Sequence, residues 1–345
     1  MRVFVYEHMC SGALAGHGGA DSLHAEGKAM LLAALQDFSL CPGVETVTLL
    51  DPRLTASGTV VHAAGAVEEE SAFRQLARTS DYTLVIAPET GGVLGQRCKW
   101  VEEEGGRLLG PSSSAVRLAA DKLALAKHLS DAGIPTPVTH RYADRMNCPF
   151  SFPVVLKPRD GAGSVGTLLV HSRDEWRAAR KLIESEGCYS ELVVQPFVRG
   201  KAVGVALLAG RERTVLLLPA AQHLSSDGRF HYQGGSAPLP VSEAERACRL
   251  AERAVTAVPV LSGFVGVDIV LSHQGEHDDI VIEINPRLTT SYVGLRILAR
   301  FNIAAAMLTL VEGGKVPDPV WKSGVVNWHA DGRVVGPYTD EMPVL

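Results

Sequence analysis

Short apolar segments alternate with amphipathic segments over the first 110 residues of the chain. The apolar segments have the length of buried strands and cover residues 2–6, 44–51 and 81–88. Residues 21–38 instead carry apolar side chains at helical spacing, and residues 68–78 are also compatible with a helix. This alternation is typical of a parallel sheet covered by helices. The pattern therefore predicts an α/β domain over residues 1–110.

The pattern changes after residue 110, where a helix is predicted over residues 115–132. Residues 112–114 are all serine, and their hydroxyl groups can cap the helix N-terminus. Gly133 suits the left-handed residue that often follows a helix C-terminus, and Pro135 cannot continue a helix. The sequence thus predicts a helix with defined start and stop signals.

Strand-like segments dominate the rest of the chain. They cover residues 152–158, 166–171, 192–198, 202–208, 213–219, 263–271 and 280–285. A helical pattern over residues 246–257 precedes the last two, which flank a polar turn and predict a hairpin. Because strands here follow one another without regular intervening helices, we expect antiparallel sheets and an α+β second half.

Composition narrows the classes of protein that fit. A chain of 345 residues with 46% apolar content can form two or three domains with sizeable cores. The net charge of −5 argues against nucleic acid or an anionic membrane as the main partner. The six cysteines are widely spaced, which favours reduced thiols. With no signal peptide and no run of roughly 20 apolar residues, we expect a soluble cytoplasmic protein.

The last predicted strand combines apolar and polar side chains in an unusual way. Strict alternation places Ile280, Ile282 and Ile284 on one face, and Val281, Glu283 and Asn285 on the other. Pro286 has no N–H group to donate and ends the strand. A carboxylate and a carboxamide are therefore expected to project side by side from a strand whose other side chains are apolar, as in a buried core strand.

The preceding strand brings a further carboxylate to the same place. If the two strands pair, Asp268 can lie on the same side as Glu283 and Asn285. Two carboxylates and an amide oxygen are the hard ligands that Mg²⁺ prefers, usually together with substrate phosphates. The alternative is a buried salt bridge, for example with Arg287. We favour a metal site, because three polar groups in register on apolar strands exceed the needs of one ion pair.

A glycine-rich loop follows the strand at 152–158. Lys157 lies at the end of that strand, and Gly161, Gly163 and Gly166 follow. Glycines let backbone N–H groups approach phosphate oxygens closely, and lysine adds a positive charge. A surface turn is the alternative, since such turns are also rich in glycine. The loop matches neither the Walker A pattern nor the dinucleotide-binding pattern.

Two further residues in this part of the chain have ordinary alternatives. Ser164 lies in a near match to the G-x-S-x-G nucleophile elbow, but a strand rather than a helix follows it, so a hydrolase is disfavoured. Lys122 follows Asp121 within the predicted helix, where a lone lysine is usually a solvated charge. The neighbouring motifs favour a functional lysine.

Five motifs occur in the order found in the ATP-grasp ligases, a family that the chain resembles over residues 110–315. They are DKLALAKHLSDAGIPTP (121–137), VVLKPRDGAGSVG (154–166), VVQPFVRG (193–200), GFVGVDIVL (263–271) and VIEINPR (281–287). The resemblance implies an ATP-grasp fold behind an N-terminal Rossmann-like (pre-ATP-grasp) α/β domain. It divides the chain into that domain at 1–110, a subdomain with the glycine-rich loop at 111–192, and a subdomain with the metal site at 193–345.

The resemblance also implies a role for each candidate site residue. ATP phosphates would be held by Lys122, Lys157 and the loop residues Gly161, Gly163, Ser164 and Gly166. Adenine would be bound by Gln195, Pro196, Phe197 and Val198. The metal, Mg²⁺ or alternatively Mn²⁺, would be held by Asp268, Glu283 and Asn285. Catalysis would depend on Arg287 and Lys157, which would stabilise the acyl phosphate and the transferring phosphoryl group. The partners would be small-molecule substrates, and the oligomeric state stays open, a homodimer included.

One departure from the family pattern concerns the nucleotide. Many ATP-grasp enzymes have glutamate at the position of Gln195 and a second glutamate, for the ribose, at the position of Ala202. Adenine can still be contacted through the Gln195 amide. Ribose would have to be bound by another residue.

A narrower resemblance appears in four short stretches. Residues 1–12, 23–30, 220–240 and 285–296 are similar to tyramine–glutamate ligases, in which residues 220–240 would be an active-site loop. Such enzymes join the glutamate side-chain carboxylate to tyramine in the biosynthesis of methanofuran or methylofuran, a one-carbon carrier. Candidates for the phenol pocket are Tyr6, His8 and Tyr292, and Arg296 is a candidate for the glutamate α-carboxylate. The alternatives are another acid and amine pair, a carboxylase of the same superfamily, and an inactive nucleotide-binding regulatory protein.

Overall fold

The structure is a computed structural model of the whole chain. It describes residues 1–14, 21–143, 147–185, 187–188, 191–210 and 213–336. In this part of the chain, no helix combines the length and the apolar character needed to cross a bilayer. All six cysteines are free thiols, as the sequence predicts.

The first sheet is parallel and is built from the N-terminal strands. It contains β1 (Arg2–Glu7), β2 (Glu45–Leu50), β3 (Thr59–His62) and β4 (Tyr82–Ile86), in the order β3-β2-β1-β4. The helices of this region are α1 (Asp21–Ser39), α2 (Ala66–Thr79) and α3 (Val93–Glu103). The predicted strands, helices and parallel pairing are confirmed, whereas β3 and α3 were not predicted. A short 3₁₀ turn, Thr90–Gly92, connects β4 to α3.

The predicted helix over residues 115–132 is wrong in one respect, because two helices occupy this segment. They are α4 (Ser113–Ala120) and α5 (Lys122–Asp131). Asp121 between them has an extended backbone, and its carboxylate accepts hydrogen bonds from the N–H groups of Leu123 and Ala124. This capping starts a new helix at Lys122. The break therefore places Lys122 in the first turn of α5.

The second sheet is small and antiparallel. It contains β5 (His140–Arg141), β6 (Val154–Pro158), β7 (Leu168–Val170) and β8 (Leu192–Pro196), in the order β5-β8-β6-β7. Helix α6 (Arg173–Ser185) buries Trp176, Ala179 and Ile183 against it. Lys157 is the fourth residue of β6, and the glycine-rich loop (residues 161–166) connects β6 to β7.

The third sheet is large and antiparallel. Its strands are β9 (Lys201–Ala209), β10 (Thr214–Leu216), β11 (Ala220–Leu224), β12 (Tyr232–Ala237), β13 (Gly263–Leu271), β14 (Ile280–Asn285), β15 (Val326–His329) and β16 (Val334–Val335). The order is β14-β13-β9-β11-β12-β15-β16, with β10 also paired to β9. The predicted active-site loop at 220–240 is largely the β11–β12 hairpin. The remaining helices are α7 (Val241–Ala257), α8 (Ser291–Leu298) and α9 (Ile303–Val311).

A β-bulge corrects the predicted faces of β14. Asp268 pairs with Glu283, but Ile269 pairs with Val281, so Ile282 is an extra residue on β14. Val281 is fully buried in the core beneath the sheet together with Ile284, whereas Ile282 lines the same cavity as Glu283. The expectation that Val281 shares a face with Glu283 is therefore wrong, because the bulge reverses the alternation.

One hydrophobic core joins the N-terminal region to the large sheet. Side chains of α1, β1 and β4 pack in the same cluster as those of α8, α9 and the facing side of β9 and β13. Separate clusters cover the opposite faces of the parallel sheet and of the large sheet. This packing holds α1 beside the loop that follows β14, which matters for the site described next.

Candidate active site

A cavity of about 530 Å³ is lined by residues from both antiparallel sheets. Of the residues predicted to bind ATP or the metal or to act in catalysis, all but one line it: Lys122, Lys157, Gly161, Gly163, Ser164, Gln195, Pro196, Phe197, Val198, Asp268, Glu283, Asn285 and Arg287. The exception is Gly166, which lies near Cys188; a Cβ atom at Gly166 would approach the Cys188 sulfur to 2.8 Å. Residues separated by more than 160 positions in the sequence thus converge on one cavity.

Two lysines and two carboxylates meet at one side of the cavity. Asp268 on β13 lies directly opposite Glu283 on β14. The Lys122 ammonium lies 3.3 Å from a Glu283 carboxylate oxygen and donates a 2.6 Å hydrogen bond to the Gly161 carbonyl. Lys122, Lys157, Asp268, Glu283 and Asn285 are called the lysine–carboxylate cluster below.

Lys157 is a buried ammonium group without a direct partner. Its side chain is 7% exposed, and no described residue forms a hydrogen bond or an ion pair with it. Burial lowers the pKa of Lys157 to about 8, although the nearby Glu283 carboxylate opposes the shift. The group therefore remains protonated at neutral pH and is suited to bind an anion that enters the cavity.

The pKa values of the two carboxylates in the cluster are shifted in opposite directions. Burial and the neighbouring Glu283 raise the pKa of Asp268 above its ordinary value. Burial would also raise the pKa of Glu283, but Lys122 and Lys157 outweigh it and lower that pKa. Two carboxylates on opposite residues of paired strands repel each other, so a divalent cation between them would be favourable.

The oxygen atoms that the cluster offers as metal ligands fit Mg²⁺. Asp268 accepts hydrogen bonds from the Gln222 amide at 2.7 Å and from the Asn285 amide at 3.0 Å, which orient its carboxylate. Among the described residues, no group of three His, Cys, Asp or Glu side chains is arranged for a metal. A metal here would therefore depend on two carboxylates, the Asn285 amide oxygen and ligands from a bound substrate.

The glycine-rich loop has the backbone conformation that its composition predicts. Gly163 and Gly166 have φ values of +64° and +69°, and Ser164 shares the left-handed region at +60°. The Ala162 N–H group donates to the Thr90 hydroxyl at 3.1 Å. The Ser164 hydroxyl donates to the Phe230 carbonyl at 2.7 Å, so it is not paired with a histidine base as a nucleophile elbow requires.

Residues 195–198 include the last two residues of β8 and the two that follow it, and all four line the cavity. The Gln195 side chain is buried and donates a 2.8 Å hydrogen bond to the Thr139 hydroxyl. The ring of Phe197 stacks on that of Phe230 with centroids 6.0 Å apart. Ala202 also lines the cavity, so no carboxylate is available at this position.

Arg287 is fixed by a residue from the N-terminal region. Its Nε atom donates a 2.8 Å hydrogen bond to Glu89, and both side chains are largely buried. Burial opposes the charged form, but Glu89 outweighs it and raises the pKa of Arg287. The turn after Glu89 also contacts the glycine-rich loop through Thr90 and binds the Asp160 carboxylate through the Gly91 N–H group at 3.0 Å. One turn therefore supports both Arg287 and the loop.

Four residues that were predicted to bind the substrates are not part of the cavity. Arg296 forms a buried ion pair with Asp37 at 2.6 Å, and the Tyr292 hydroxyl donates to the same carboxylate. Both side chains therefore bind Asp37 in the core between α1 and α8. The predicted contact of Arg296 with an α-carboxylate is wrong. The others, Tyr6 and His8, are buried and hydrogen-bonded to each other at 3.0 Å.

Another part of the cavity wall was not predicted from the sequence. It contains Glu26 on α1, Thr290 before α8, Tyr232 on β12 and Trp328 on β15. These four residues are called the Glu26 wall below. Glu26 and Thr290 fall within the stretches 23–30 and 285–296. The narrower resemblance was therefore the sequence feature that could have identified them as site residues. Tyr232 lies in the stretch 220–240, which carried the same resemblance, whereas Trp328 lies outside all four stretches and carried no signal.

Comparisons with known proteins agree with this geometry. The ATP-grasp domain family matches residues 119–291, half of the chain, and a pre-ATP-grasp domain family matches residues 44–116. A crystal structure of an ATP-grasp superfamily protein from Archaeoglobus fulgidus has a TM-score of 0.70 and 26% identity. That comparison covers 94% of this chain and 92% of the other.

Two relatives carry the name tyramine–L-glutamate ligase. The protein from Methanocaldococcus fervens is 30% identical over 217 residues, which cover 63% of this chain and 62% of the relative. The protein from Methanocaldococcus jannaschii is 28% identical over 234 residues, which cover 66% and 63% respectively. The match thus spans just under two thirds of the length of each relative. The domain matches, the fold and the cavity show that this chain belongs to the ATP-grasp family.

Proposed function

We propose that the protein is an ATP-dependent, ADP-forming ligase that joins a carboxylate to an amine through an acyl phosphate. The observation that carries this proposal is the lysine–carboxylate cluster beside Arg287 in one cavity. Lys157 offers an unpaired buried ammonium, and the paired carboxylates of Asp268 and Glu283 suit a divalent cation. A nucleoside triphosphate bound with Mg²⁺ satisfies both requirements. Mn²⁺ is an alternative metal with similar ligand preferences.

The proposed roles follow from the positions of the side chains. Lys122 and Lys157 bind phosphate oxygens, and the glycine-rich loop closes over them. The metal would be held by Asp268, Glu283 and Asn285. When bound, Mg²⁺ neutralises phosphate charge and orients the transferring group. Residues 195–198 contact the adenine. The domain boundaries proposed from the sequence, 1–110, 111–192 and 193–345, place the nucleotide between the second and third parts.

The chemistry requires activation of the carboxylate. A carboxylate oxygen attacks the γ-phosphorus of ATP, which forms the acyl phosphate and releases ADP. The amine then attacks the acyl carbon, and phosphate leaves with the electrons of the broken C–O bond. Arg287, held by Glu89, stabilises negative charge on the phosphoryl group during both steps. No protein nucleophile is needed, which agrees with the Ser164 hydroxyl being held by a backbone carbonyl.

For the substrates we propose L-glutamate as the acid and tyramine as the amine. The names of the two Methanocaldococcus relatives support this choice. The stretches 23–30 and 285–296, which carried the narrower resemblance, both contribute residues to the cavity. The product would be γ-glutamyltyramine, a precursor of a one-carbon carrier.

The test is a screen of acids and amines with ATP and Mg²⁺, read by mass spectrometry. We expect an adduct of glutamate and tyramine together with ADP and phosphate. An adduct of a different acid and amine would support the proposed ligase function but would contradict the proposed substrates. ATP binding without turnover for any pair would instead indicate an inactive nucleotide-binding protein and contradict the proposal.

A further inference from the structure

Glu26 is a cavity-lining carboxylate that the proposed binding of ATP and metal does not use. Among the described residues that line the cavity, it alone comes from the first 110 residues of the chain. One carboxylate oxygen accepts a 3.0 Å hydrogen bond from the Thr290 hydroxyl. No lysine or arginine in the described part of the chain forms an ion pair with it. A sheltered carboxylate without a cationic partner is costly, so the position suits a cationic ligand.

The charge environment indicates where that ligand would lie. Burial raises the pKa of Glu26, and the Thr290 hydroxyl and the Arg287 guanidinium oppose the shift. Glu26 and Arg287 line the same cavity, and Glu26 binds Thr290, which lies three residues after Arg287. Because Arg287 is proposed to stabilise the acyl phosphate, Glu26 lies near the carbonyl group that the amine attacks.

Two aromatic residues complete this part of the cavity. The Trp328 indole N–H group donates a 2.7 Å hydrogen bond to the Tyr232 hydroxyl. The indole ring packs closely against Gly235 and Gly294, where an added Cβ atom would approach it to 2.6 Å and 2.1 Å. The Tyr232 hydroxyl donates to no described residue, so its proton is available to a ligand. The wall therefore offers a fixed aromatic surface, one phenolic donor and one carboxylate.

We propose that Glu26 binds the ammonium group of the acceptor amine and accepts the proton that it loses before attack. The proposal rests on the ligase function proposed above. The proton moves from nitrogen to the Glu26 oxygen that is not bonded to Thr290. The nitrogen lone pair then forms the C–N bond, while the C–O bond to phosphate breaks and its electrons leave with the phosphate. The second proton that the nitrogen must lose passes to an oxygen of the departing phosphate. The adjacent Tyr232 and Trp328 suit a primary amine with an aromatic body.

The test separates activation of the acid from attack by the amine. In Glu26→Gln, the amide oxygen can still accept the Thr290 hydrogen bond, so the packing of α1 is retained. The first readout is the hydroxamate formed from glutamate, ATP and Mg²⁺ with hydroxylamine, a nucleophile that is largely uncharged at neutral pH. The second readout is the amide formed with tyramine. The matched control is Glu103→Gln, which removes an exposed carboxylate on α3.

We expect Glu26→Gln to form hydroxamate at a rate within about threefold of wild type and amide at a rate on the order of 10² lower. The control should change neither rate. Equal loss of both reactions, or loss of neither, would overturn the assignment of Glu26 to the amine. If the wild-type protein forms no hydroxamate and releases no ADP with any acid, the proposed ligase function fails and the inference falls with it.

Discussion

The lysine–carboxylate cluster and the Glu26 wall line the same cavity but hold charge in different ways. In the cluster, ammonium and carboxylate groups lie beside one another, as the 3.3 Å contact between Lys122 and Glu283 illustrates. In the Glu26 wall, one carboxylate has only a hydroxyl partner, and the other side chains that line this part of the cavity are aromatic. The first arrangement suits a polyanion bound with a metal, and the second suits an organic cation. Under the proposed function, nucleotide and amine would therefore be recognised by separate sets of residues.

The largest expected effect is at the cluster. Glu283→Ala removes the carboxylate that pairs with Lys122 and lies opposite Asp268. Turnover should fall on the order of 10²–10³, the range for losing one preorganised charge-stabilising group. The rate of ADP release measures this, with Glu103→Ala as the control and circular dichroism to check the fold. Turnover within threefold of wild type would be incompatible with the assigned role.

The second largest effect is expected when the metal is removed, because this affects the cluster and not the Glu26 wall. Without a divalent cation, Asp268 and Glu283 repel the triphosphate, so ATP affinity should fall by about tenfold or more, at least about 1.4 kcal/mol. Calorimetric titration of ATP with Mg²⁺ and with EDTA measures the change. Equal affinity under both conditions would contradict the metal site.

A smaller effect is expected in the Glu26 wall. Tyr232→Phe removes the free phenolic donor and the acceptor of the Trp328 N–H group. The KM for tyramine should rise about three- to tenfold, the range that one neutral hydrogen bond gives. The KM for ATP should stay unchanged, because the cluster is intact. A parallel rise in both constants would show that the two sets of residues are not separate.

The smallest expected effect concerns the glycine-rich loop. Mg·ATP should slow hydrogen exchange of residues 161–166 severalfold, because phosphate oxygens give the backbone N–H groups a partner. Mass spectrometry of the peptide that contains these residues measures the change, and the peptide of α7 serves as a reference. Unchanged exchange would indicate a rigid structural turn.

The sequence predicts the cluster well because its signals are local. Lys157 ends an apolar strand before a glycine-rich loop, and Glu283 and Asn285 interrupt a run of isoleucine and valine. Local patterns do not reveal the extra residue Ile282, since a bulge depends on the partner strand. They also missed the break at Asp121, whose capping role was hidden by continuous helical periodicity on either side.

The Glu26 wall and the buried ion pair between Arg296 and Asp37 depend on contacts between distant residues, which local sequence patterns cannot predict. The hydrogen bond between Glu26 and Thr290 joins residues 264 positions apart. The carboxylate of Asp37 lies 259 positions before Arg296, which it binds, and it also accepts the Tyr292 hydroxyl. Tyr292 and Arg296 therefore resemble substrate-binding residues in the sequence, while the packing of α1 against α8 places them in the core.

The central claim is that the carboxylate is activated as an acyl phosphate. The most direct measurement uses glutamate labelled with ¹⁸O in its side-chain carboxylate, together with ATP, Mg²⁺ and tyramine. When the acyl phosphate breaks, one carboxylate oxygen leaves with phosphate, so the account predicts one ¹⁸O atom in each phosphate released. Mass spectrometry of the phosphate reads the transfer. Amide formation with unlabelled phosphate would contradict the account.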